Sequence, residues 1–485
     1  MPLSWLYQLF PDIPWYPIAL LSVQFLAFTS LALSLTMNTR KQSHALLLYG
    51  VFFTCFGLYS FQNLNLTLTS GLAALCGFFL LLRLIDGSHV PMRRCILALG
   101  TLCVFLSFIL RPETFPIFVA AATPFLLMAL GGNQTRRKAL IFFATAFVLW
   151  GGLSFLQRAY YSQTPDWDQY RSTYPINRAV HDFYPIRYEA DTQLLFDRIG
   201  WSKNDFFLFL GWYYWDADRY SVENLKAIKS YFSSYKPLTS VLIQIRALLL
   251  DRIFLSLACC LLLALLCLQR PYPHGFIWCI LWNLGLVLCL VVWFKVPERI
   301  ILPLVSFVVI GAFQACLARK DDPVPLVEKM RGQTIAILLA CLLIPSFLYS
   351  AHRVGQTKRL KERELKDAVT ALQPRRDQLF IVWDSIFPFE NIGAFDDLAP
   401  YQTFHMLSFA AYQQSPIGDR MLTHFSVKNP LRDAVDRPDI FLICNPYEGA
   451  MALTYLREKF NLQVQPRLAF DSSSFQVYQF FSSRH

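Results

Sequence analysis

The chain has 485 residues, of which 55% are hydrophobic and 16% are charged, and its mean hydropathy is +0.38. Soluble domains carry about 25% charged residues, so this composition excludes an ordinary soluble protein and favours one that crosses a membrane several times. The formal net charge of +11 does not indicate a nucleic-acid-binding protein, because the basic residues form short clusters between apolar runs and not one continuous stripe.

Ten apolar segments follow one another along the chain, and each is predicted to form a helix in a ~30 Å hydrocarbon core. Several are shorter than 20 residues, so one or two are alternatively re-entrant or strongly tilted. The segments lie at 15–37, 44–60, 66–84, 95–110, 115–130, 139–156, 253–268, 275–294, 300–317 and 334–349.

Lys and Arg residues cluster in alternate short loops, at 40–41, 93–94, 136–138, 270 and 319–331. Positively charged short loops face the cytoplasm, so this alternation predicts the orientation of the whole chain. It places the long polar loop 158–251 and both termini outside the cytoplasm.

The composition changes after the last apolar segment. A basic helical linker is predicted at 351–372, followed by four strand-like runs and one amphipathic helix. The predicted fold class is therefore an α-helical polytopic membrane protein with a small C-terminal α/β domain. Its parts are a transmembrane domain at 1–350, which includes the outer loop 158–251, the linker, and an extracytoplasmic α/β domain at 373–485.

The long loop contains two carboxylates one residue apart, Asp216 and Asp218, beside the aromatic residues Trp212 and Trp215. On an extended segment both carboxylates point to one side and can share a divalent cation such as Mg²⁺ or Mn²⁺. Either one can instead act as a general base towards a hydroxyl group. The alternative is a solvated turn that caps a helix at Ser221, with the rings serving as interfacial anchors.

The same loop shows local helix signals. Ser202 and Asp205 have the spacing of a capping box, and Ser221 is placed to cap a further helix through about residue 232. Together with Trp201, Trp212 and Trp215, these signals predict short helices that lie in the membrane interface.

Two further outer turns carry charge. Arg111 and Glu113 flank a proline, and Lys295, Glu298 and Arg299 form a second turn. A guanidinium group can hold a lipid phosphate through two donors, which makes these turns candidate phosphate-binding sites. The alternatives are an Arg111 side chain that extends to the headgroups and mutual ion pairing within the second turn.

These features resemble the GT-C superfamily of polytopic glycosyltransferases, in an uncharacterised bacterial branch. The resemblance rests on the multi-helix topology, on the Leu-Arg-Pro-Glu run at 110–113, on the stretch 215–221 and on a C-terminal α/β domain on the outer side. It implies a bacterial inner-membrane enzyme that transfers a sugar from a polyprenyl-phosphate donor to a cell-envelope glycan or lipid acceptor.

The resemblance also implies roles for the outer charges. Asp216 or Asp218 is expected as metal ligand or auxiliary base, and Arg111, Lys295 and Arg299 are expected to hold the donor phosphate. Glu113 or Glu298 is expected to orient those cations, with Glu113 also a candidate catalytic residue and Glu298 a substrate-binding one. Trp212 and Trp215 are expected to stack on the sugar.

The chain departs from that family near its start. Such enzymes usually carry an acidic residue in the first outer loop, whereas Asp12 is the only early carboxylate here. One interpretation is that the first helix and its acidic loop are missing, in which case we expect the chain to be inactive by itself. The alternative is a chain that starts outside the cytoplasm with a very short tail. Two other functions stay open: a transporter or flippase for envelope lipids, and a non-catalytic membrane scaffold.

Overall fold

The computed structural model describes residues 2–483 except for positions 38–41, 86–91, 130–147, 149, 153, 157, 161, 164, 185, 234–237, 268–273, 294–296, 319–351, 354, 384–385, 388–391, 394, 397–398, 410–412 and 473–474. The chain forms two compact units. The helical unit comprises Met1–Gln157 and Pro237–Val354, and the α/β unit comprises Arg158–Lys236 and Gly355–His485. The long loop and the C-terminal segment therefore belong to one unit, although the chain passes through the helical unit between them.

The helices of the helical unit follow the apolar segments of the sequence. Their bounds are α1 Pro2–Leu9, α2 Trp15–Thr36, α3 Gln42–Gln62, α4 Leu66–Ile85, α5 Arg93–Leu110 and α6 Phe115–Ala129, and, from residue 237 onwards, α11 Leu238–Leu250, α12 Arg252–Cys267, α13 His274–Trp293 and α14 Glu298–Ala318. Helix α11 lies in the last part of the predicted outer loop 158–251, of which only residues 158–236 belong to the α/β unit. The predicted segments at 334–349 and, for the most part, 139–156 lie outside the described residues.

Six of these helices, α2 to α5, α13 and α14, are long and apolar enough to cross a membrane. The helical membrane character predicted from composition is thereby confirmed. Helices α6, α11 and α12 are apolar over shorter stretches. One turn of α3, Phe53–Gly57, has π-helical geometry, which inserts an extra residue into the helix.

Helix α4 is the centre of the helical unit, because 89% of its most apolar stretch is buried, against 22% for α13. Small residues let its neighbours approach closely: a Cβ atom on Gly71 would lie 2.6 Å from Pro303 of α14 and 2.8 Å from Phe118 of α6. Polar side chains also join neighbouring helices, as in the hydrogen bond from Gln24 Nε2 to Thr69 Oγ1, 2.9 Å.

The α/β unit contains four helices from the long loop and its own C-terminal elements. The loop forms α7 Pro165–Phe183, α8 Ala190–Arg198, α9 Lys203–Leu210 and α10 Val222–Ser233. The C-terminal segment forms a helix α15 at 355–372, β1 Leu379–Val382, α16 Ala399–Gln402, β2 His405–Ser408, α17 Pro416–His424, α18 Pro430–Asp433, β3 Ile440–Cys444, α19 Pro446–Phe460, β4 Val464–Asp471 and β5 Gln476–Ser482.

The five strands form one sheet in the order β2-β1-β3-β5-β4. Strands β2, β1 and β3 are parallel, and the β4–β5 hairpin adds to β3 in antiparallel orientation. The central strands β1 and β3 are buried along their whole length, as their continuous apolar runs predict. The predicted small C-terminal sheet is therefore confirmed, with β2 as an additional edge strand.

The aromatic part of the long loop packs in the core of the α/β unit. Trp201 is 2% exposed, Tyr213 is 0% exposed and Trp215 is 8% exposed, and all three belong to a core shared with strands β1, β2 and β3. The prediction that these rings anchor short helices in the membrane interface is therefore wrong for this group. These rings are instead buried against the sheet, where the removal of apolar surface from water stabilises the unit.

Candidate functional site

The Arg-Pro-Glu turn between α5 and α6 has a defined internal structure. The carbonyl oxygen of Arg111 accepts the backbone N–H of Thr114, 3.2 Å, and the carbonyl oxygen of Pro112 accepts Nε1–H of Trp150, 3.1 Å. Arg111 Nε lies 3.5 Å from Glu113 Oε2, and this nitrogen is buried without a hydrogen-bond partner among the described residues. The backbone of this turn is thus fixed, and one nitrogen of the guanidinium group is enclosed beside Glu113.

A second polar group combines the end of α3 with the start of α14. The hydroxyl of Tyr59 donates to Oε1 of Glu298, 2.9 Å. Asp251, which precedes α12, is close enough to interact electrostatically with both side chains. Asp251 also accepts the backbone N–H groups of Ile253 and Phe254 at 2.9 and 2.8 Å, as a helix N-cap does.

Both polar groups lie at the same end of the helical unit. Helix α4 is their shared neighbour. Near its start, Ser70 Oγ donates a hydrogen bond to the Ser107 carbonyl oxygen of α5, and the adjacent Gly71 packs closely on Pro303 of α14. Arg111 lies four residues beyond Ser107, and Glu298 lies five residues before Pro303. At 1.5 Å per residue, both are displaced roughly 6–8 Å from that level in the same direction.

The remaining charges of these turns have different positions. Arg299 is exposed beside Glu298 at the start of α14, and Lys295 lies outside the described residues. Tyr16, in the first turn of α2, is close enough to Arg111 to interact with its charge. This end of the unit therefore combines two cations, Arg111 and Arg299, with several carboxylates and phenols. We call it the Arg111 end.

The Arg111 end has the groups needed to bind a phosphate and to move a proton. Guanidinium groups recognise phosphate oxygens through directed donors. Glu298 uses one carboxylate oxygen to accept the Tyr59 hydroxyl, and its other oxygen accepts no hydrogen bond from the described residues. Helix N-termini favour negative charge, so Asp251 and Glu298 both occupy positions where a carboxylate is stabilised.

Asp216 is bound within the α/β unit. It is 6% exposed, and its Oδ2 accepts the Lys459 ammonium group and the Tyr455 hydroxyl, the latter at 3.1 Å. Asn429 donates to the Tyr455 oxygen at 2.9 Å and accepts from Tyr213 at 3.4 Å. The carboxylate predicted to be catalytic thus closes a hydrogen-bonded network between the long loop and α19.

The sequence was interpreted as an extended segment with Asp216 and Asp218 on one side, but the structure shows a different conformation. The N–H of Tyr220 bonds to the carbonyl oxygen of Asp216 at 2.9 Å, so the chain turns, and Asp218 is exposed where Asp216 is buried. Across the part of the chain that the structure describes, no group of three or more His, Cys, Asp or Glu side chains is arranged to hold a metal ion. The divalent cation stays a prediction.

The two tryptophans of this stretch also pack within the α/β unit. Trp212 has a φ of 62°, an uncommon left-handed conformation for a large residue, and its ring lies 3.8 Å from that of His181. This turn directs Tyr213 into the core, where its ring contacts Trp383 after β1 at 6.2 Å and Phe409 after β2 at 5.1 Å. Ligands of α/β sheets bind at the carboxyl ends of such strands, and here the chain itself occupies part of that edge.

A second buried carboxylate, Asp205, supports the same stretch. It is 3% exposed, lies 3.1 Å from the Arg219 guanidinium group and accepts the backbone N–H of Ser202, completing the predicted capping box. Burial raises the pKa of Asp205, and the hydrogen bonds from Ser202 and the charge of Arg219 oppose this. Burial lowers the pKa of Lys459, which the charge of Asp205 opposes.

The structure adds three residues to the Arg111 end that were not selected from the sequence: Tyr16, Tyr59 and Asp251. Asp251 had a local signal, since an Asp directly before an apolar helix is a typical N-cap. Tyr59 had none, because one tyrosine near the end of an apolar segment is common at membrane interfaces. Only the packing of α3 against α14 gives it a carboxylate partner.

Comparisons with known proteins add no relative from which a role can be transferred. The chain matches no family model, no curated protein and no solved structure.

Proposed function

We propose that the chain is a membrane glycosyltransferase of the GT-C type, with about ten spanning helices and with the Arg111 end as its extracytoplasmic active site. It transfers a sugar from a polyprenyl-phosphate donor to a glycan or lipid acceptor of the bacterial cell envelope. The observation that carries the proposal is the carboxylate of Glu298, hydrogen-bonded to Tyr59 beside Asp251, at the same helix end as Arg111.

The proposed reaction uses the two sets of charges separately. Arg111 and Arg299 hold the phosphate of the donor, whose polyprenyl chain lies in the bilayer. An acceptor hydroxyl forms a new bond to the anomeric carbon as the bond from that carbon to the phosphate oxygen breaks. The hydroxyl proton passes to Glu298, and polyprenyl phosphate leaves with the electron pair. Tyr59 and Asp251 orient Glu298.

The general base is thus Glu298 of the helical unit and not a carboxylate of the long loop. Asp216 was predicted as a metal ligand or base because it forms a pair of carboxylates with Asp218, but its Oδ2 already accepts Lys459 and Tyr455. Glu113 is largely exposed beside Arg111 and is proposed to position that guanidinium group. A flippase would require charged groups within the helices, and the buried polar residues described in the helical unit are neutral.

The test measures sugar transfer in membranes of cells that produce the wild-type chain, with membranes of cells lacking it as background. Polyprenyl phosphates carrying radiolabelled glucose, galactose, mannose or arabinose are supplied, and both labelled glycan and liberated polyprenyl phosphate are quantified. We expect one donor to be consumed, and Glu298→Gln to lower the rate by about 10²–10⁴-fold, the usual contribution of a general base.

The control is Glu223→Gln, which removes one exposed carboxylate of α10 and should leave the rate unchanged. Membrane levels of all three proteins are matched by immunoblot. If no donor is consumed above background by the wild-type chain, the glycosyltransferase proposal is wrong. If Glu298→Gln retains full transfer, the enzyme assignment stands and the base is elsewhere.

A further inference from the structure

Helix α15, at 355–372, extends away from its own unit over its first turns. Its six side chains from Gln356 to Lys361 are all exposed, although they point in every direction around the helix axis. The first fully buried side chain is Leu365, which packs with Leu372 in the core beside β1. The first half of α15 is therefore a helix without a protein surface covering it.

One face of this exposed half combines two guanidinium groups and an apolar side chain. Arg359 and Arg363 are four residues apart and so lie on the same face of the helix, opposite Leu365. Leu360 lies beside Arg363 at the edge of that face, about 60° further around the axis, and is 60% exposed. Like charges at this spacing destabilise a helix, so the arrangement favours an anion held between them.

No acidic side chain supplies that anion in the part of the chain that the structure describes. Glu362 is paired with Lys366, Nζ to Oε1 at 2.6 Å, and lies off this face. Arg359 and Arg363 form no ion pair with any described carboxylate. Their ten N–H donors in the planar fork geometry suit the oxygens of a phosphate group.

The chain position of α15 indicates where the phosphate comes from. The predicted spanning segment 334–349 ends six residues before Gly355, and even a fully extended connection of that length reaches only about 20 Å. If segment 334–349 spans the bilayer as predicted from the sequence, the helix starts within about 20 Å of the headgroup layer. A face with two Arg residues and an exposed Leu matches the boundary between phosphate groups and acyl chains.

We propose that the Arg359–Leu360–Arg363 face of α15 is a binding site for the headgroup of an anionic phospholipid, with Leu360 contacting its acyl chain. The site holds the start of the C-terminal segment against the membrane surface. It is separate from the sugar-transfer site and does not depend on it.

The test uses the full chain purified in neutral detergent and native mass spectrometry during titration with dioleoylphosphatidylglycerol or dioleoylphosphatidylcholine. The wild-type chain is expected to bind the anionic lipid about tenfold more tightly, since each cation near an anionic surface contributes a several-fold factor. The double variant Arg359→Gln/Arg363→Gln should lose this preference for the anionic lipid. Leu360→Ser should weaken the binding of both lipids by a similar factor.

The matched control is Arg457→Gln/Arg467→Gln, which removes two exposed cations of the same unit and should keep the preference. Protection of the buried Cys444 thiol from labelling checks that each variant is folded. The proposal is overturned if the Arg359/Arg363 variant keeps its preference, or if the control loses it equally. It is also overturned if millimolar inorganic phosphate displaces the lipid completely, because the site would then recognise a free anion.

Discussion

In the helical unit all buried polar side chains of the described residues are neutral, whereas the α/β unit buries two carboxylates, Asp205 and Asp216. Charge is expensive in hydrocarbon, so the helical unit keeps its ionic groups at helix ends, where Arg111 and Glu298 lie. The α/β unit encloses its carboxylates and pairs them with Arg219 and Lys459. The partly exposed charges at the helix ends can meet a ligand, whereas the carboxylates of the α/β unit are already paired within the fold.

The largest expected effect comes from breaking an enclosed pair. Asp216→Ala leaves the half-buried Lys459 without its carboxylate, and we expect the α/β unit to lose about 3–5 kcal/mol of stability. Cys444 is the only cysteine of this unit and is fully buried, and burial raises the pKa of its thiol. Its labelling rate, measured by peptide mass spectrometry across a urea series, reports the opening of the unit.

Two matched variants accompany this measurement. Asp218→Ala removes the exposed neighbouring carboxylate and should change stability by less than about 0.5 kcal/mol. Asp216→Leu combined with Lys459→Met should restore most of the loss, since replacing both charges leaves neither uncompensated. Equal labelling of the Asp216→Ala and Asp218→Ala proteins would show that the pair is not structural.

An intermediate effect is expected where helices of the helical unit touch. Gly71→Ala would place its Cβ 2.6 Å from the Pro303 ring, which cannot rotate away, and should cost about 1–3 kcal/mol. Gly285→Ala, at an open position of α13, should instead stabilise by about 0.5–1 kcal/mol. The labelling rate of the buried Cys76 thiol in detergent reports the stability change in both variants. Faster labelling in the Gly285 protein than in the Gly71 protein would contradict the close contact of α4 and α14.

The smallest effect concerns an ion pair near the surface of the α/β unit. Arg437 donates to both oxygens of Asp439, at 2.8 and 2.7 Å, and this lowers the pKa of that carboxyl below its ordinary value of 3.8. A carboxyl whose pKa is lowered by folding stabilises the fold above its unfolded pKa, and this contribution disappears as the pH falls through the lowered value. Asp439→Asn should therefore cost under about 1 kcal/mol at pH 7, and progressively less as the pH falls below 3.8.

Hydrogen exchange of peptides from β1 and β3 compares the Asp439→Asn protein with the wild type at each pH. A difference that persists unchanged at pH 2 would assign the effect to packing and not to charge. The exposed pair Arg376 and Asp377, 3.9 Å apart, provides a control in Asp377→Asn, which should alter exchange at neither pH.

Local sequence patterns were sufficient to predict much of the fold. Apolar length predicted the helices of the helical unit, and continuous β-forming runs predicted β1 and β3, because burial on both faces requires such runs. The capping box at Ser202 is a contact across three residues and was visible directly. Strand β2 was not predicted, since His405–Ser408 is short, partly polar and at the sheet edge.

The association of the long loop with the sheet could not be predicted locally. Tyr214 N–H bonds to Gln413 Oε1, 199 residues later, and no pattern within the loop indicates that partner. Aromatic residues in a polar loop fit a membrane interface and a protein core equally well. At the Arg111 end, charge in the turns was enough to select Arg111 and Glu298, but the phenol of Tyr59 required the packing of α3 on α14.

The discontinuous α/β unit has a consequence for biosynthesis. Residues 158–236 emerge from the ribosome before the helices of 237–354, and their partners at 355–485 come last. At a synthesis rate of ~5–20 residues per second, the strands that enclose the rings of Tyr213 and Trp215 are made roughly ten seconds or more after those rings. During that interval an aromatic stretch is left uncovered on a nascent chain, where holding chaperones would have a substrate and where truncated products would aggregate first.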